Sequence, residues 1–339
     1  MATAVRIGVI GLGFMGGRWV RALADHAGVA LATVCDVREE LARAVADEFG
    51  TAWSTDPLTT AGDPRLDGVV VCTPEHLHSE PALTAIEAGT PVAVEKPLAH
   101  EIGVAERIRD AAARSDVPVL AAHILRFEPR YAAIRRAIED GTLGTVQGIR
   151  SERIGVVGDQ RVLRGRTTIP LYYGTHEFDL ARWYAGEVTT VAAQRSGGVL
   201  RAAGYDVDDL YSVLLGFESG AHGTSTIGWS LPDATAPHGT SGFTVFGSHG
   251  FARVEQAATG LAVVGERGPV AVDTWYTPQV HGRTAGALAN EVDHFVQVVW
   301  GKATPVCTAA DGAAAVRISL AVALAAEQHT ILTPSEVPT

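Results

Sequence analysis

The chain has 339 residues, 47% of them hydrophobic and 19% charged. That balance excludes a disordered chain, and the length favours two domains over one small core. With 38 acidic against 27 basic residues the formal net charge is −11, which argues against nucleic-acid binding through a basic surface. No apolar run is expected to span a membrane, and the short apolar stretch after Arg6 is glycine-broken, a strand and not a signal peptide. Cys35, Cys72 and Cys307 form no CxxC or metal-ligand spacing, so a reducing, cytoplasmic setting and no metal are expected.

Val5 to Ile10 reads as a strand, and Arg18 to His26 as a helix. Between them stands Gly11-Leu12-Gly13-Phe14-Met15-Gly16, a G-x-G-x-x-G in the strand-to-helix context that a dinucleotide site requires. Gly11 allows the tight turn, Gly13 lets backbone approach a pyrophosphate, and Gly16 lets the helix pack on its strand. The helix N-terminus adds free N–H groups and a positive dipole end. A second strand, Ala30 to Cys35, ends in Asp36, placed to accept from the adenosine ribose hydroxyls and to repel a 2′-phosphate. This favours NAD. Arg38 could instead pair with a 2′-phosphate, which keeps NADP open, or only solvate the next helix.

The alternation of strand and helix continues. Glu39 to Phe49 is helical, and Leu66 to Cys72 is a strand buried on both faces. Thr73-Pro74 is a strand-end turn, followed by His76 and His78. His78 either contacts the cofactor or caps and packs. A helix to Ala88 follows, with Gly89 as its cap. The strand from Pro91 then ends in Glu95-Lys96-Pro97, where proline stops the regular run. Lys96 and Lys302 are the chain's two lysines. At a strand end, where open parallel sheets bind ligands, a Lys can donate to a substrate oxygen or shift its pKa. The bland alternative is a surface-turn lysine. A helix (Glu101 to Arg114) and a strand (Val117 to Ala122) complete a doubly wound parallel sheet of the Rossmann type over residues 1–122.

Residues 123–339 are expected to form the second domain. Glu128 to Glu139 is helical, and Val146 to Val157 starts a long strand. Arg161, Arg164 and Arg166 lie in a loop-like segment that either meets an anionic substrate or is a solvated face. Gly174 to Tyr184 reads as one amphipathic helix with His176 in its first turn. Successive strands follow from Val188 to Val272, punctuated by Gly and Ser as in an antiparallel meander. Trp275 to Gly286 is a loop carrying His281. Ala287 to Trp300 and Thr308 to His329 are helices, the second largely buried.

Together Gly11–Gly16, Cys72-Thr73-Pro74 with His78, Glu95-Lys96-Pro97, Arg126-Phe127-Glu128-Pro129 and the stretch from Gly174 to Trp183 resemble the glucose-fructose oxidoreductase / inositol dehydrogenase / MocA (Gfo/Idh/MocA) family, across the whole chain. The resemblance implies a Rossmann domain followed by an α+β domain with a large open, mainly antiparallel sheet. It implies NAD(P)-dependent hydride transfer on a sugar or cyclitol by a homodimer or homotetramer. A sugar dehydrogenase or 3-keto-sugar reductase is favoured. Cofactor contacts are implied at Gly11, Gly13, Phe14, Met15, Gly16, Asp36, Arg38, Thr73, Pro74, His78, Glu95 and Lys96, and substrate contacts at Lys96, Arg126, Tyr172 and His176. His176 corresponds to the family's catalytic base, with Lys96 beside it.

One departure stands out. Inositol-oxidising members typically carry Asp-x-x-x-His here, whereas this chain has Tyr172 four residues before His176. A phenol could serve as the proton donor if Lys96 lowers its pKa, or as an apolar wall. Two other classes stay open: a non-catalytic NAD(P)-sensing regulator of the same fold, and a glycoside hydrolase that uses NAD as a transient redox partner.

Overall fold

Strand β1 (Val5–Ile10) has Val5, Ile7, Val9 and Ile10 buried, as a central strand of a parallel sheet must. In the computed structural model the described residues are 4–159, 163, 165–233, 235, 239–255, 261, 263–265, 268–270 and 272–339. The chain divides into two units, Met1–Glu128 with Asp273–Ala313, and Pro129–Val272 with Ala314–Thr339.

In the first unit β1 is flanked by β2 (Val29–Cys35), β3 (Ala52–Ser54), β4 (Gly68–Val71), β5 (Val92–Glu95) and β6 (Val119–Ala122). All pairs are parallel, in the order β3-β2-β1-β4-β5-β6. Strand order reverses between β1 and β4, so the crevice for a ligand opens at their carboxyl ends. The helices are α1 (Phe14–Asp25), α2 (Glu39–Phe49), α3 (Pro57–Ala61), α4 (Ser79–Glu87) and α5 (Ile102–Ser115). Short β3 and α3 carry too little apolar periodicity to be seen in the sequence; the side chain of Asp56 caps α3 through the N–H groups of Leu58 and Thr59.

From sequence, one domain boundary is expected between 122 and 123. The first unit instead also holds a later helix, Gly286–Val299. The reason is its apolar stripe: Leu288, Val292, Phe295 and Val296 share one core with Ile7, Val9, Trp19 and Leu23. Trp19 meets Phe295 edge-on at 6.5 Å.

In the second unit, α6 (Pro129–Glu139) precedes β7 (Val146–Val156), α7 (Thr175–Ala185), β8 (Val188–Ser196), β9 (Leu210–Phe217), β10 (His222–Leu231), β11 (Thr240–Gly247) and β12 (Gly250–Glu255). The sheet order is β12-β11-β7-β10-β9-β8. A plain meander is therefore not what forms: β7 inserts between β10 and β11 and pairs with β10 in parallel, while the other pairs are antiparallel. Rings of Tyr131 and Tyr184 pack on Phe243 of β11, and the Tyr184 hydroxyl donates to the Tyr131 carbonyl at 2.7 Å. Leu214, Phe246 and Phe251 stay exposed.

The expectation that no apolar run has membrane length needs one correction. Helix Ala309–Gln328 is long and apolar enough to cross a membrane by length and composition. Its apolarity has a different use, since 61% of that span is buried within the protein.

Candidate active site

The glycine turn is built as its spacing requires. Gly11 has φ +87°, and a Cβ there would lie 2.6 Å from the Thr73 nitrogen; one on Gly16 would lie 1.8 Å from the Gly11 carbonyl oxygen. Both positions exclude any larger residue. Gly13 differs: among the described residues nothing lies within 4 Å of where its Cβ would be. It caps α1 with no side-chain bond to the first-turn N–H groups. An open glycine at a helix N-terminus fits a pyrophosphate. Phe14 is 73% exposed, with the Arg18 guanidinium 3.5 Å over its ring, and Met15 is half-buried.

Asp36 follows β2 and is 7% exposed. Its Oδ2 accepts the Leu12 N–H at 2.9 Å, which locks the glycine turn. Its Oδ1 accepts both the N–H and the Nε–H of Arg38 at 3.0 Å, and Arg38 Nη2 reaches Oδ2 at 3.2 Å. Burial works against the charge. The Arg38 side chain and the N–H groups of Arg38 and Leu12 outweigh it and hold the carboxyl below the usual Asp range. Asp36 is thus an ionised acceptor, suited to ribose hydroxyls and hostile to a 2′-phosphate.

Lys96 is half-buried on the turn after β5. Its N–H donates to Glu95 Oε2 at 3.1 Å, and Glu95 Oε1 accepts from Trp19 Nε1 at 3.0 Å. Glu95 is 6% exposed. In place of the expected cofactor contact, its side chain points into the core and holds the turn through Trp19 and the Lys96 N–H. Burial raises its pKa, against the Trp19 bond and the Lys96 charge. Behind it lies Glu291, fully buried, with neither carboxyl oxygen hydrogen-bonded among the described residues. Burial, then the neighbouring Glu95, push Glu291 well above the carboxylate range. The same environment pushes the Cys72 thiol up and leaves it inert.

Two further expectations change. His78 is 1% exposed, with its ring nitrogens against the carbonyls of Thr73 and Pro97. It braces the turns and has no surface to offer a cofactor. Arg126 is 4% exposed, with Nη1 donating to the Val306 carbonyl at 2.7 Å and Nη2 3.5 Å from Asp311. Its guanidinium bonds the 306–311 segment within the same unit. Thr73 is half-buried, its hydroxyl without a hydrogen-bond partner among the described residues, and Pro74 is exposed.

In the second unit His176 is half-buried near the start of α7. That helix does not begin at Gly174 as expected: a π-helical turn, Pro170–Gly174, runs straight into it. Gly174 is where helix and sheet touch, since a Cβ there would lie 2.6 Å from the Phe178 ring and 2.8 Å from Ile227. The adjacent Glu177 anchors the helix through an ion pair to Arg153 at 2.7 Å. Tyr172, Tyr173 and Trp229 form a ring cluster with centroids 5.3–5.4 Å apart. Trp229 is fully buried, and its Nε1 has no hydrogen-bond partner among the described residues. Arg161 and Arg164 lie outside the described residues, and Arg166 is exposed. His281 is exposed in a short hairpin, at φ +51°.

Trp19 and Glu291 have no counterpart among the residues expected from sequence. A signal for Glu291 existed: it is an acid on the apolar stripe that carries Leu288, Val292 and Phe295.

Residues 5–123 match "Oxidoreductase family, NAD-binding Rossmann fold", and residues 131–253 match "GFO/IDH/MocA C-terminal domain". Inositol 2-dehydrogenases 1 and 2 of Saccharopolyspora erythraea are 35% and 31% identical over 62% and 64% of this chain. These matches span 63% and 64% of those proteins' own lengths. The scyllo-inositol 2-dehydrogenase (NAD(+)) of Bacillus subtilis is 27% identical over 95% of this chain and 94% of its own. In fold, the chain is similar to scyllo-inositol dehydrogenase of Lactobacillus casei, with TM-score 0.83, 21% identity, and coverage of 98% of this chain and 100% of that one. With both of its halves matched in order, and the glycine turn and Asp36 formed as a dinucleotide requires, the chain belongs to the Gfo/Idh/MocA family and carries its NAD-binding Rossmann fold.

Proposed function

We propose that the chain is an NAD-dependent oxidoreductase acting on a secondary alcohol or ketone of a sugar or cyclitol. The observation that carries this reading is Lys96, one of two lysines in the chain, on the turn after β5 in the same unit as the glycine turn. The relatives named as inositol dehydrogenases support the cyclitol class. Tyr172, where inositol-oxidising members carry Asp, shifts the weight toward a pyranose.

Bound NAD supplies the hydride acceptor. The α1 N-terminus and Gly13 hold its phosphates, and Asp36 holds its adenosine ribose. Lys96 donates to the substrate hydroxyl oxygen and stabilises the negative charge that grows there. His176 takes the hydroxyl proton as hydride leaves the same carbon, and the product is a ketone. In the reverse direction His176 returns the proton. Positioned proton transfer of this kind contributes roughly a hundred- to ten-thousand-fold. In the rival assignment Tyr172, assisted by Lys96, handles the proton and His176 only binds substrate. The exposed sheet residues Leu214, Phe246 and Phe251 support assembly into a homodimer or homotetramer; a monomer by light scattering at micromolar concentration ends that part of the reading.

The test is absorbance at the reduced-nicotinamide band, with NAD or NADP and a panel of pyranoses, glycosides, sugar phosphates and cyclitols. Reduction with one substrate group and a preference for NAD is the expected result. Silence across the panel, with NAD binding intact, overturns the reading in favour of a sensing regulator.

A further inference from the structure

His78 stands at the entry to α4, buried, with Nε2 2.8 Å from the Thr73 carbonyl and Nδ1 3.0 Å from the Pro97 carbonyl. A carbonyl only accepts, so each contact is a hydrogen bond when the facing nitrogen carries a proton. The neutral ring makes one of them and the imidazolium both. Burial lowers the ring's pKa, while the two carbonyls and Glu75 oppose that shift.

Each carbonyl belongs to a turn with a role. Thr73 is the floor of the glycine turn, its nitrogen 2.6 Å from the Cβ position that Gly11 leaves empty. Pro97 is bonded to Lys96, whose own N–H is held from the other side by Glu95 at 3.1 Å. One imidazole therefore spans from the floor of the dinucleotide turn to the lysine turn, at the carboxyl ends of β4 and β5.

We propose that His78 is a positioning residue for Lys96: its ring ties the turn that bears the lysine to the turn beneath the glycine motif, and so fixes where the ammonium leaves the sheet. The proposal rests on the role given to Lys96 above. A histidine that merely packs would leave Lys96 indifferent to its removal.

With two lysines in the chain, the test can be spectroscopic and needs no substrate. Reductive dimethylation with isotope-labelled formaldehyde labels Lys96, Lys302 and the α-amino terminus; Lys302→Arg and Lys96→Arg each remove one signal and so assign the two lysines. Lys302 Nζ lies 4.4 Å from the Trp300 ring centre, which sets its shift apart. In His78→Phe the Lys96 signal and its titration midpoint are expected to move while Lys302 stays put. NAD affinity stays within about threefold, and kcat falls by about tenfold or more with KM little changed, because a displacement of about 1 Å can cost a hundredfold. His78→Gln, which keeps an N–H donor, is expected to restore most of both readouts. An unmoved Lys96 signal in folded His78→Phe overturns the proposal. If that variant does not fold, His78→Gln and His78→Asn carry the comparison, since their amides reach differently. A native signal in Gln and a displaced one in Asn supports the proposal; native signals in both overturn it. A chain that oxidises no alcohol, yet whose Lys96 responds to His78, refutes the proposed function and supports the strut.

Discussion

Asp36 and Glu291 are both acids with almost no exposed surface, 7% and 0%, and their surroundings push their pKa values in opposite directions. Asp36 sits at the end of β2, where two backbone N–H groups and the Arg38 fork converge on its oxygens. Glu291 lies on an apolar helix stripe with no donor on either oxygen among the described residues and the acid Glu95 as its neighbour. Burial is common to both. What separates them is the supply of donors, which repays desolvation in one place and is missing in the other. Asp36 stands at the carboxyl end of β2, on the ligand crevice, and Glu291 lies beside Glu95, under the turn that bears Lys96.

Lys96 sets the boundary between these regions, as a positive charge that acts on Glu95. Removing it is expected to have the largest effect. Lys96→Ala should lose turnover by roughly a hundred- to ten-thousand-fold, the range for positioned proton transfer and charge stabilisation. NAD affinity, read by fluorescence titration, should stay within a few-fold because Asp36 and the glycine turn are untouched. Near-native turnover would remove Lys96 from the mechanism.

The comparison is sharpened at its ionised end by Asp36→Ser. Hydrogen bonds to a charged group are worth about 1.5–3 kcal/mol, so NAD should bind about ten- to a hundredfold more weakly. NADP should bind more tightly than in the native chain, since the repelling charge is gone and Arg38 is released from its partner. Unchanged preference in paired titrations would show that Asp36 serves the Leu12 N–H and not the cofactor. A smaller effect separates the two candidate proton carriers. Tyr172→Phe keeps the ring cluster with Tyr173 and Trp229 and should cost only a few-fold, whereas His176→Ala should cost thousands-fold. The reverse ranking makes Tyr172 the acid and His176 a ligand.

Much of this was legible in the sequence, for a physical reason. Gly11, Gly13 and Gly16 are set by local backbone geometry, and Asp36 and Lys96 by where a strand stops, so short stretches suffice. The doubly wound sheet follows from the alternation of short apolar strands and helices. What was not legible depends on long-range contacts. Insertion of β7 between β10 and β11 leaves no mark on either strand's pattern. Arg126 reads as a substrate contact by resemblance, and only the fold shows its bonds to Val306 and Asp311. His78 looks like a cofactor contact until Pro97 is seen against its ring. Glu95 carries a motif, but its direction into the core is a tertiary fact.

Glu291 gives the subtlest test of the comparison. Its folded-state pKa is raised above the unfolded value near 4.5. Between those two values the folded chain binds a proton that the unfolded chain has released, so stability falls as pH rises through that window. Below about pH 4.5 both states are protonated and the penalty vanishes. Glu291→Gln keeps the neutral shape without a titrating proton. The variant should therefore melt a few degrees higher than the native chain at about pH 8, and equally at about pH 4.5, since about 1 kcal/mol moves Tm by ~2–4 °C in domains of 150–250 residues. NAD affinity should not change, because the effect lies behind the turn. If the Gln variant melts lower at both pH values, Glu291 is held ionised by a donor, and the two acids differ less than their surroundings indicate.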